Sequence, residues 1–339
     1  MNKVQLSIIV PMYNAEKYIE RCINSIIPYL SPDIELIIVN DGSKDRSYEL
    51  CLQLIDKYDN AKVINQENSG SVAARMNGVE ISRGDYITFV DADDYIGEDY
   101  LDAAQKSMNS ETDVIIYGFT RVNAETQTQI KQTISCGVFS GEKMKKELFC
   151  KMLCSSESPY NFGIFPSVCG KFVKREIISS AYREAPKKVS LGEDAIITYN
   201  CLAKAKRIEI FDNFGYHYVE NSVSMTHGYD SRLVESSIAL CKAMEQILRP
   251  LGPKVHVQLG SYIRYIALKV IDNEFNRSEK KYRDAKLSCQ KFINNEIVSN
   301  SLAIKSVANC NLLGELYKYL LNNHLFLGLC LFSKIHPYL

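Results

Sequence analysis

Short apolar runs alternate with stretches of helical spacing through the first 120 residues. Leu6-Ser7-Ile8-Ile9-Val10, Leu36-Ile37-Ile38-Val39, Lys62 to Ile64, Tyr86-Ile87-Thr88-Phe89-Val90 and Val114-Ile115-Ile116-Tyr117 have the length of strands. Between them, Tyr18, Ile19, Cys22, Ile23 and Ile26 recur on one helical face, as do Leu50, Cys51, Leu54 and Ile55. A third helix is predicted from about Ser71 to Ser82, with Gly84 near its stop. Continuous apolar strands separated by amphipathic helices predict a parallel sheet covered on both faces.

Residues from about 120 to 140 are rich in Thr, Gln and Asn and read as a hairpin or loop. Further on, the pattern predicts a helix near Glu193 to Ala205 and strands near Ile208 to Phe211 and Tyr216 to Val219. From about residue 230 only helical spacing remains. The expected organisation is an α/β domain over residues 1–228 and a helical region over 229–339.

The 339 residues include 40 basic and 40 acidic side chains, a balance that argues against a protein gripping nucleic acid over its whole surface. The charge is unevenly spread. Residues 254–339 hold 12 Lys or Arg against 6 Asp or Glu, which leaves 28 against 34 for the remainder. A solvated helix face explains that excess, and so does contact with an anionic membrane surface or with another subunit. None of the eleven cysteines forms a C-x-x-C pair, so they read as small buried hydrophobes in a reducing compartment. No apolar run reaches the length of a membrane span, and the amino terminus lacks the apolar core of a signal peptide. The expected location is the cytoplasm, with peripheral contact at the inner membrane face possible through the basic tail and its run Leu325 to Leu329.

In an open parallel sheet, ligands bind beyond the carboxyl ends of the strands. Here those ends read Pro11-Met12-Tyr13-Asn14, Asn40-Asp41-Gly42-Ser43, Asn65 to Gly70 and Asp91-Ala92-Asp93-Asp94. One such residue is an ordinary turn former. Four polar ends on one edge point to a site. The chain has neither G-x-G-x-x-G after the first strand nor a G-x-x-x-x-G-K-[ST] loop, which disfavours a dinucleotide dehydrogenase or a P-loop enzyme. Asp91, Asp93 and Asp94 repel one another and repel phosphate unless a hard divalent cation reverses the sign, and oxygen ligands suit Mg²⁺ or Mn²⁺. Asp91 and Asp93 flank one residue and so point the same way on an extended segment. An acidic helix start explains the same residues equally well.

Ser7 to Asn14, Val39 to Asp45, Asn68 to Gly78 and Phe89 to Asp94, in that order, resemble the motifs of bacterial family 2 glycosyltransferases, inverting enzymes that build capsular, cell-wall or other surface polysaccharides. The similarity continues through Cys169 to Glu176 and Gly192-Glu193-Asp194 and carries little beyond about residue 230. It implies the GT-A fold: a Rossmann-like, mostly parallel sheet with helices on both faces, followed here by the helical region. Residues 1–120 would then be the nucleotide-sugar half and 121–228 the acceptor half.

The resemblance also implies roles. Pro11, Tyr13 and Asn14 would line the nucleotide pocket, and Asp41 would accept a hydrogen bond from the base, uracil N3–H being apt. Asn68, Gly70 and Arg75 would lie near the ribose and diphosphate, Arg75 offering a bidentate fork. Asp91, Ala92 and Asp93 would be the D-x-D motif, with Asp93 the more direct ligand of Mg²⁺ or Mn²⁺ and Asp91 beside it. The implied reaction moves one sugar from a nucleotide-sugar, a UDP-sugar above all, to a hydroxyl of a saccharide or lipid-linked saccharide. Asp194 is the expected base, with Glu193 orienting the acceptor or holding the loop; ordinary acids at a helix start are the alternative. The chain has no Trp and so lacks the Q-x-x-R-W motif of processive members, which implies single additions.

Secondary candidates are His217 and His227 as a third metal ligand or diphosphate contact, and Tyr160, Tyr216 and Tyr218 as sugar-stacking rings; core packing explains all five as well. Lys171 and Arg175, four apart, read as a solvated helix face, the alternative being a pair that faces the acceptor or a phosphate. Two rival readings remain at this level: a sugar-phosphate nucleotidyltransferase, and a non-catalytic sugar-nucleotide-binding protein.

Overall fold

A computed structural model describes residues 3–108, 111–154, 162–186, 189–220, 228–304 and 312–335. Twelve strands are named in chain order. They are β1 Leu6–Met12, β2 Ile34–Asn40, β3 Ala61–Asn65, β4 Tyr86–Phe89, β5 Tyr95–Ile96 and β6 Val114–Tyr117, then β7 Phe119–Val122, β8 Gln127–Ile130, β9 Gly137–Ser140, β10 Lys171–Lys174, β11 Arg207–Phe211 and β12 Tyr216–Val219.

Eight of them form one sheet in the order β3-β2-β1-β4-β10-β6-β11-β9. The first four are mutually parallel, with Met12 beside Asn40 and Asn40 beside Asn65. β1, β2 and β4 are largely apolar because both faces are covered, and every residue of β2 is buried, including the paired acid Glu35. β10 runs antiparallel between β4 and β6, and β9 runs antiparallel at the edge beside β11. The apolar pattern does not announce either strand. In β10 only Phe172 and Val173 are apolar, and lysines at both ends mask them. Lys171 and Arg175 therefore do not form a solvated helix face. Lys171 is buried in β10 with Nζ donating to the Ser167 carbonyl (2.6 Å), and Arg175 Nε donates to the Gly84 carbonyl (2.9 Å).

A smaller sheet has the order β5-β12-β7-β8. The Thr/Gln/Asn-rich stretch supplies its β7-β8 hairpin, closed where Asn123 Oδ1 accepts from the amides of Glu125 and Thr126.

The helix Ile19–Ile26 buries Ile19, Cys22, Ile23 and Ile26, the predicted face. The helix Ser71–Ile81 buries small or unusual residues instead: Ala74, Arg75, Gly78 and Val79. Gly78 is required by a close approach, since a Cβ there would meet Ile9 Cγ2 at 2.5 Å.

Contacts divide the chain into two units that interleave in sequence. Residues 1–141, 167–184 and 200–222 form one, which holds both sheets; residues 142–166, 185–199 and 223–339 form the other. The second unit is built around the helix Pro253–Asp272, of whose 20 residues 14 are buried. Leu233–Leu248, Tyr282–Ile293, Glu296–Leu302 and Phe326–Ile335 pack against it. The buried Gln258 on that helix satisfies the short 3-10 helix Phe149–Lys151 and the residues after it, accepting from the Leu153 amide (3.0 Å) and donating to the Phe149 carbonyl (2.9 Å). Among the described residues no helix is long and apolar enough to cross a membrane. Seven of the ten cysteines described are buried, and none is in a disulfide.

Candidate functional site

Because β3, β2, β1 and β4 are adjacent and parallel, their carboxyl ends lie on one edge of the sheet. The four polar segments singled out in the sequence meet there. Their hydrogen bonds show what each does.

Asn14 follows β1 with φ +48°, a left-handed conformation that Asn tolerates better than most residues. Its amide donates to Ser43 Oγ (3.0 Å) and its Oδ1 accepts from the Lys44 amide (2.7 Å). Asn14 thus stitches the loop after β1 to the loop after β2. Pro11 is half-buried within β1, and the Tyr13 ring is exposed.

Asp41 is buried and accepts three hydrogen bonds. Gln66 Nε2 (2.7 Å) and the Ser69 amide (2.8 Å) reach Oδ1; the Gly70 amide (2.8 Å) reaches Oδ2. A carboxylate has about four acceptor sites, so one is left for a further donor. Its first role is to hold the loop after β3. Gln66 is itself fixed by Asn77 Nδ2 (2.5 Å). Asn68 and Gly70 are exposed on that loop. Gly70 has φ +88°, and a Cβ there would meet nothing within 4 Å, so the approach to the start of the Ser71–Ile81 helix is open. The first turn of a helix offers unsatisfied amides to an anion.

The acidic segment resolves its own repulsion. Arg75, buried on the Ser71–Ile81 helix, donates from a terminal guanidinium nitrogen to Asp91 Oδ1 (2.7 Å). It is an internal ion-pair partner and not a surface helix arginine. Asp94 turns away from the other two acids and is buried. Tyr216 Oη donates to its Oδ2 (2.5 Å) and the Val219 amide to its Oδ1 (2.8 Å). Burial, reinforced by Asp91, pushes the Asp94 carboxyl up to about 8, so it adds little negative charge at neutral pH. What remains on the edge is Asp91 and Asp93, both half-buried, with Ala92 buried between them.

Two residues complete this turn: Tyr216, which the sequence offers only as a sugar-stacking ring, and Arg21, which it does not flag. The Tyr216 hydroxyl also accepts from the Asp91 amide (3.3 Å), so one phenol braces both ends of Asp91 to Asp94. Tyr216 is buried in the smaller sheet and is not a ring open to a sugar. Arg21, on the Ile19–Ile26 helix, donates to the Asp93 carbonyl (2.5 Å) and lies over the Tyr95 ring, 5.0 Å from its centroid. Tyr95 stacks in turn on His217, with ring centroids 4.4 Å apart. No signal short of the fold joins these residues, which are separated by up to 196 positions.

His217 is half-buried, and burial lowers its pKa, so it is a neutral ring. Among the described residues no group of three His, Cys, Asp or Glu side chains is arranged to hold a metal, so His217 joins no such cluster. Tyr218 is exposed and meets Phe119 edge-on. Tyr160 and His227 lie outside the described residues.

Hard oxygen donors from one or two carboxylates, completed by substrate phosphates, are the usual setting of Mg²⁺. Asp91 and Asp93 fit that pattern as two carboxylates one residue apart on this edge, and an all-protein cage is not needed.

Glu193 and Asp194 open the helix Glu193–Lys204, as expected, and belong to the second unit. Both are half-buried. The preceding Gly192 has φ +80°, and its carbonyl accepts from the Ile196 amide (3.1 Å). The loop before it is pinned within that unit: the Ser190 amide donates to Ser236 Oγ (2.7 Å) and Ser190 Oγ to Asp230 Oδ2 (2.6 Å).

Comparison with known proteins agrees with this architecture. Residues 7–171 match the model of glycosyl transferase family 2. An uncharacterized glycosyltransferase of Bacillus subtilis, EpsJ, is 30% identical over 65% of this chain and 62% of its own length. The poly(ribitol-phosphate) beta-glucosyltransferase of Bacillus spizizenii is 30% identical over 64% of this chain and 32% of its own length. The chain thus spans less than two thirds of either relative. The crystal structure of S. aureus TarS 1–349 in complex with UDP-GlcNAc superposes with a TM-score of 0.70 at 19% identity, over 98% of this chain and 92% of that one. That likeness establishes the fold, which is GT-A. On these findings, residues 7–171 match glycosyl transferase family 2, and the chain is similar to glycosyltransferases of that kind.

Proposed function

We propose that this protein transfers a single sugar from a nucleoside diphosphate, a UDP-sugar, to a hydroxyl group of a saccharide or lipid-linked saccharide, with inversion, in the building of a surface polysaccharide. The observation that carries this reading is the paired acid Asp91 on one edge with Asp93, beside a loop that buried Asp41 holds open at a helix start. The TarS structure with UDP-GlcNAc and the glucosyltransferase relative support the donor class.

In this reading the first 120 residues hold the donor and residues 121–228 face the acceptor. Asp41 offers its remaining acceptor site to the N3–H of uracil while it keeps the 66–70 loop in place. Pro11, Tyr13 and Asn14 flank the base. Asn68 and Gly70 lie along the ribose and diphosphate. Arg75 holds Asp91 in position and adds positive charge next to the diphosphate. Asp91 and Asp93 would hold Mg²⁺ or Mn²⁺, Asp93 more directly. Bound there, the ion would neutralise the charge that develops on the departing diphosphate. Asp194 takes the proton of the acceptor hydroxyl on the face opposite the leaving group, and Glu193 orients the acceptor. The anomeric carbon passes through an oxocarbenium-like state, as in glycoside hydrolysis.

The test is release of nucleoside diphosphate from a panel of nucleotide-sugars with candidate acceptors, with and without Mn²⁺. Asp93→Ala and Asp194→Asn should each lose about 100-fold or more in rate while keeping the fold, the scale of a lost general base. Pyrophosphate as product would establish a nucleotidyltransferase instead. Full rate in both variants would remove the site assignment.

A further inference from the structure

The last two described helices, Leu312–Asn322 and Phe326–Ile335, form an antiparallel hairpin in the second unit. They touch closely, since a Cβ at Gly328 would meet Leu320 Cδ2 at 2.6 Å. The first helix buries Gly314, Tyr317 and Leu321, and the second buries Phe326, Leu329 and Phe332. The Tyr317 and Phe332 rings stack on that inner side.

The outer side is apolar too. Leu312, Leu316 and Tyr319 follow one another at i, i+4 and i+7, and Leu327, Leu331 and Ile335 at i, i+4 and i+8; all six are exposed. On each helix this stripe lies opposite the buried one. The Leu320–Gly328 contact falls between the two stripes, so both open on the same outward side. Isolated exposed apolar residues need no explanation, but a two-helix face of them marks an interaction surface.

The charge beside the face selects the partner. Lys334 is exposed next to Leu331 and Ile335. Lys286 Nζ reaches the Phe326 ring, 5.8 Å from its centroid, on the flank away from the first helix. Residues 277–291, which include Lys286, hold six Lys or Arg against two acids. Exposed Tyr282 and Leu287 sit among them. On the first helix the one flanking acid, Glu315, is paired with Lys318 (2.6 Å), so the unpaired charge beside the face is basic; this matches an interfacial helix on anionic lipid, where aliphatic side chains enter the boundary and lysines reach the headgroups. Two copies joined by a twofold through this face would bring the same basic flanks toward each other. We propose that the outward face of this hairpin docks the protein on an anionic lipid surface. The proposal stands on the helical unit alone and does not depend on the sugar-transfer reading.

The purified chain is floated with vesicles of phosphatidylcholine, alone or with about 30% phosphatidylglycerol, and its oligomeric state is measured by light scattering. The wild type should float with the anionic vesicles and about tenfold less with the neutral ones. Leu316→Glu/Leu331→Glu should stay unbound with an unchanged thermal midpoint. Lys286→Glu/Lys334→Glu, which leaves both apolar stripes in place, should lose the preference for anionic vesicles with an unchanged thermal midpoint. Absence of flotation by the wild type overturns the proposal, as does flotation that ignores both pairs of substitutions. A dimer that the Leu316→Glu/Leu331→Glu pair dissociates would show instead that a second copy covers the face.

Discussion

Asp41→Asn separates the structural work of this carboxylate from any contact with a base. In the wild type Oδ1 accepts from Gln66 and the Ser69 amide, and Oδ2 from the Gly70 amide. An asparagine can keep the first two by leaving its oxygen at Oδ1, but it then points an NH₂ group at the Gly70 N–H. Flipping the amide loses two bonds to regain one. A hydrogen bond to a charged group is worth about 1.5–3 kcal/mol and a neutral one about 0.5–1.5. Losing the Gly70 bond and downgrading the other two therefore removes about 3.5–6 kcal/mol. The exposed loop can turn the freed amides to water, which returns part of this, so about 2–4 kcal/mol is the expected loss. Urea unfolding followed by far-UV circular dichroism measures it, with hydrogen exchange at the Ser69 and Gly70 amides as the local reading. Donor binding should weaken in the same variant because the loop no longer presents Gly70. A change below about 0.5 kcal/mol, with both amides still protected, would refute the argument that Asp41 organises this loop.

Other substitutions test other joints. Tyr216→Phe removes the hydroxyl that joins the Asp91 amide to Asp94 and should cost about 1–3 kcal/mol in urea unfolding, with weaker Mn²⁺-dependent donor binding in calorimetry; an unchanged Mn²⁺ response would show that this brace does not position the acids. Gly78→Ala gains helix propensity of about 1 kcal/mol but drives a methyl group into Ile9, so net destabilisation of about 1–2 kcal/mol is expected, and a raised melting temperature would disprove the close approach. Glu35 is buried; burial opposes its charge, but hydrogen bonds from Ser7 Oγ, the Arg83 amide and Arg83 Nε overcome this and hold its carboxyl below the usual range. A depressed carboxyl pKa contributes stability above the unfolded value and loses it as pH falls through the folded one. The gap in melting temperature between wild type and Glu35→Gln should thus be full at neutral pH and close as pH falls below about 4.3; a gap independent of pH would refute it.

The sequence by itself determined most of the strands and helices of the first 120 residues. Strands buried on both faces must be apolar throughout, so β1, β2, β4 and β6 are visible as runs, and helices packed on them show their spacing. The polar strand ends stand out against that background, which is why Asp41, Asp91 and Asp93 could be singled out before the fold was known, whereas Arg75, inside a helix, was named only through the family resemblance. Tertiary structure alone decided how they are used. Arg75 faces Asp91, Asp94 turns inward, and Asp41 is spent mostly on its own loop. These are side-chain directions and pairings across the sheet, and local sequence does not encode them. β10 and the bracing role of Tyr216 stayed hidden for the same reason: β10 is a strand only because β4 and β6 leave a gap that it pairs into, and Tyr216 acts on residues about 120 positions away that only the fold brings near.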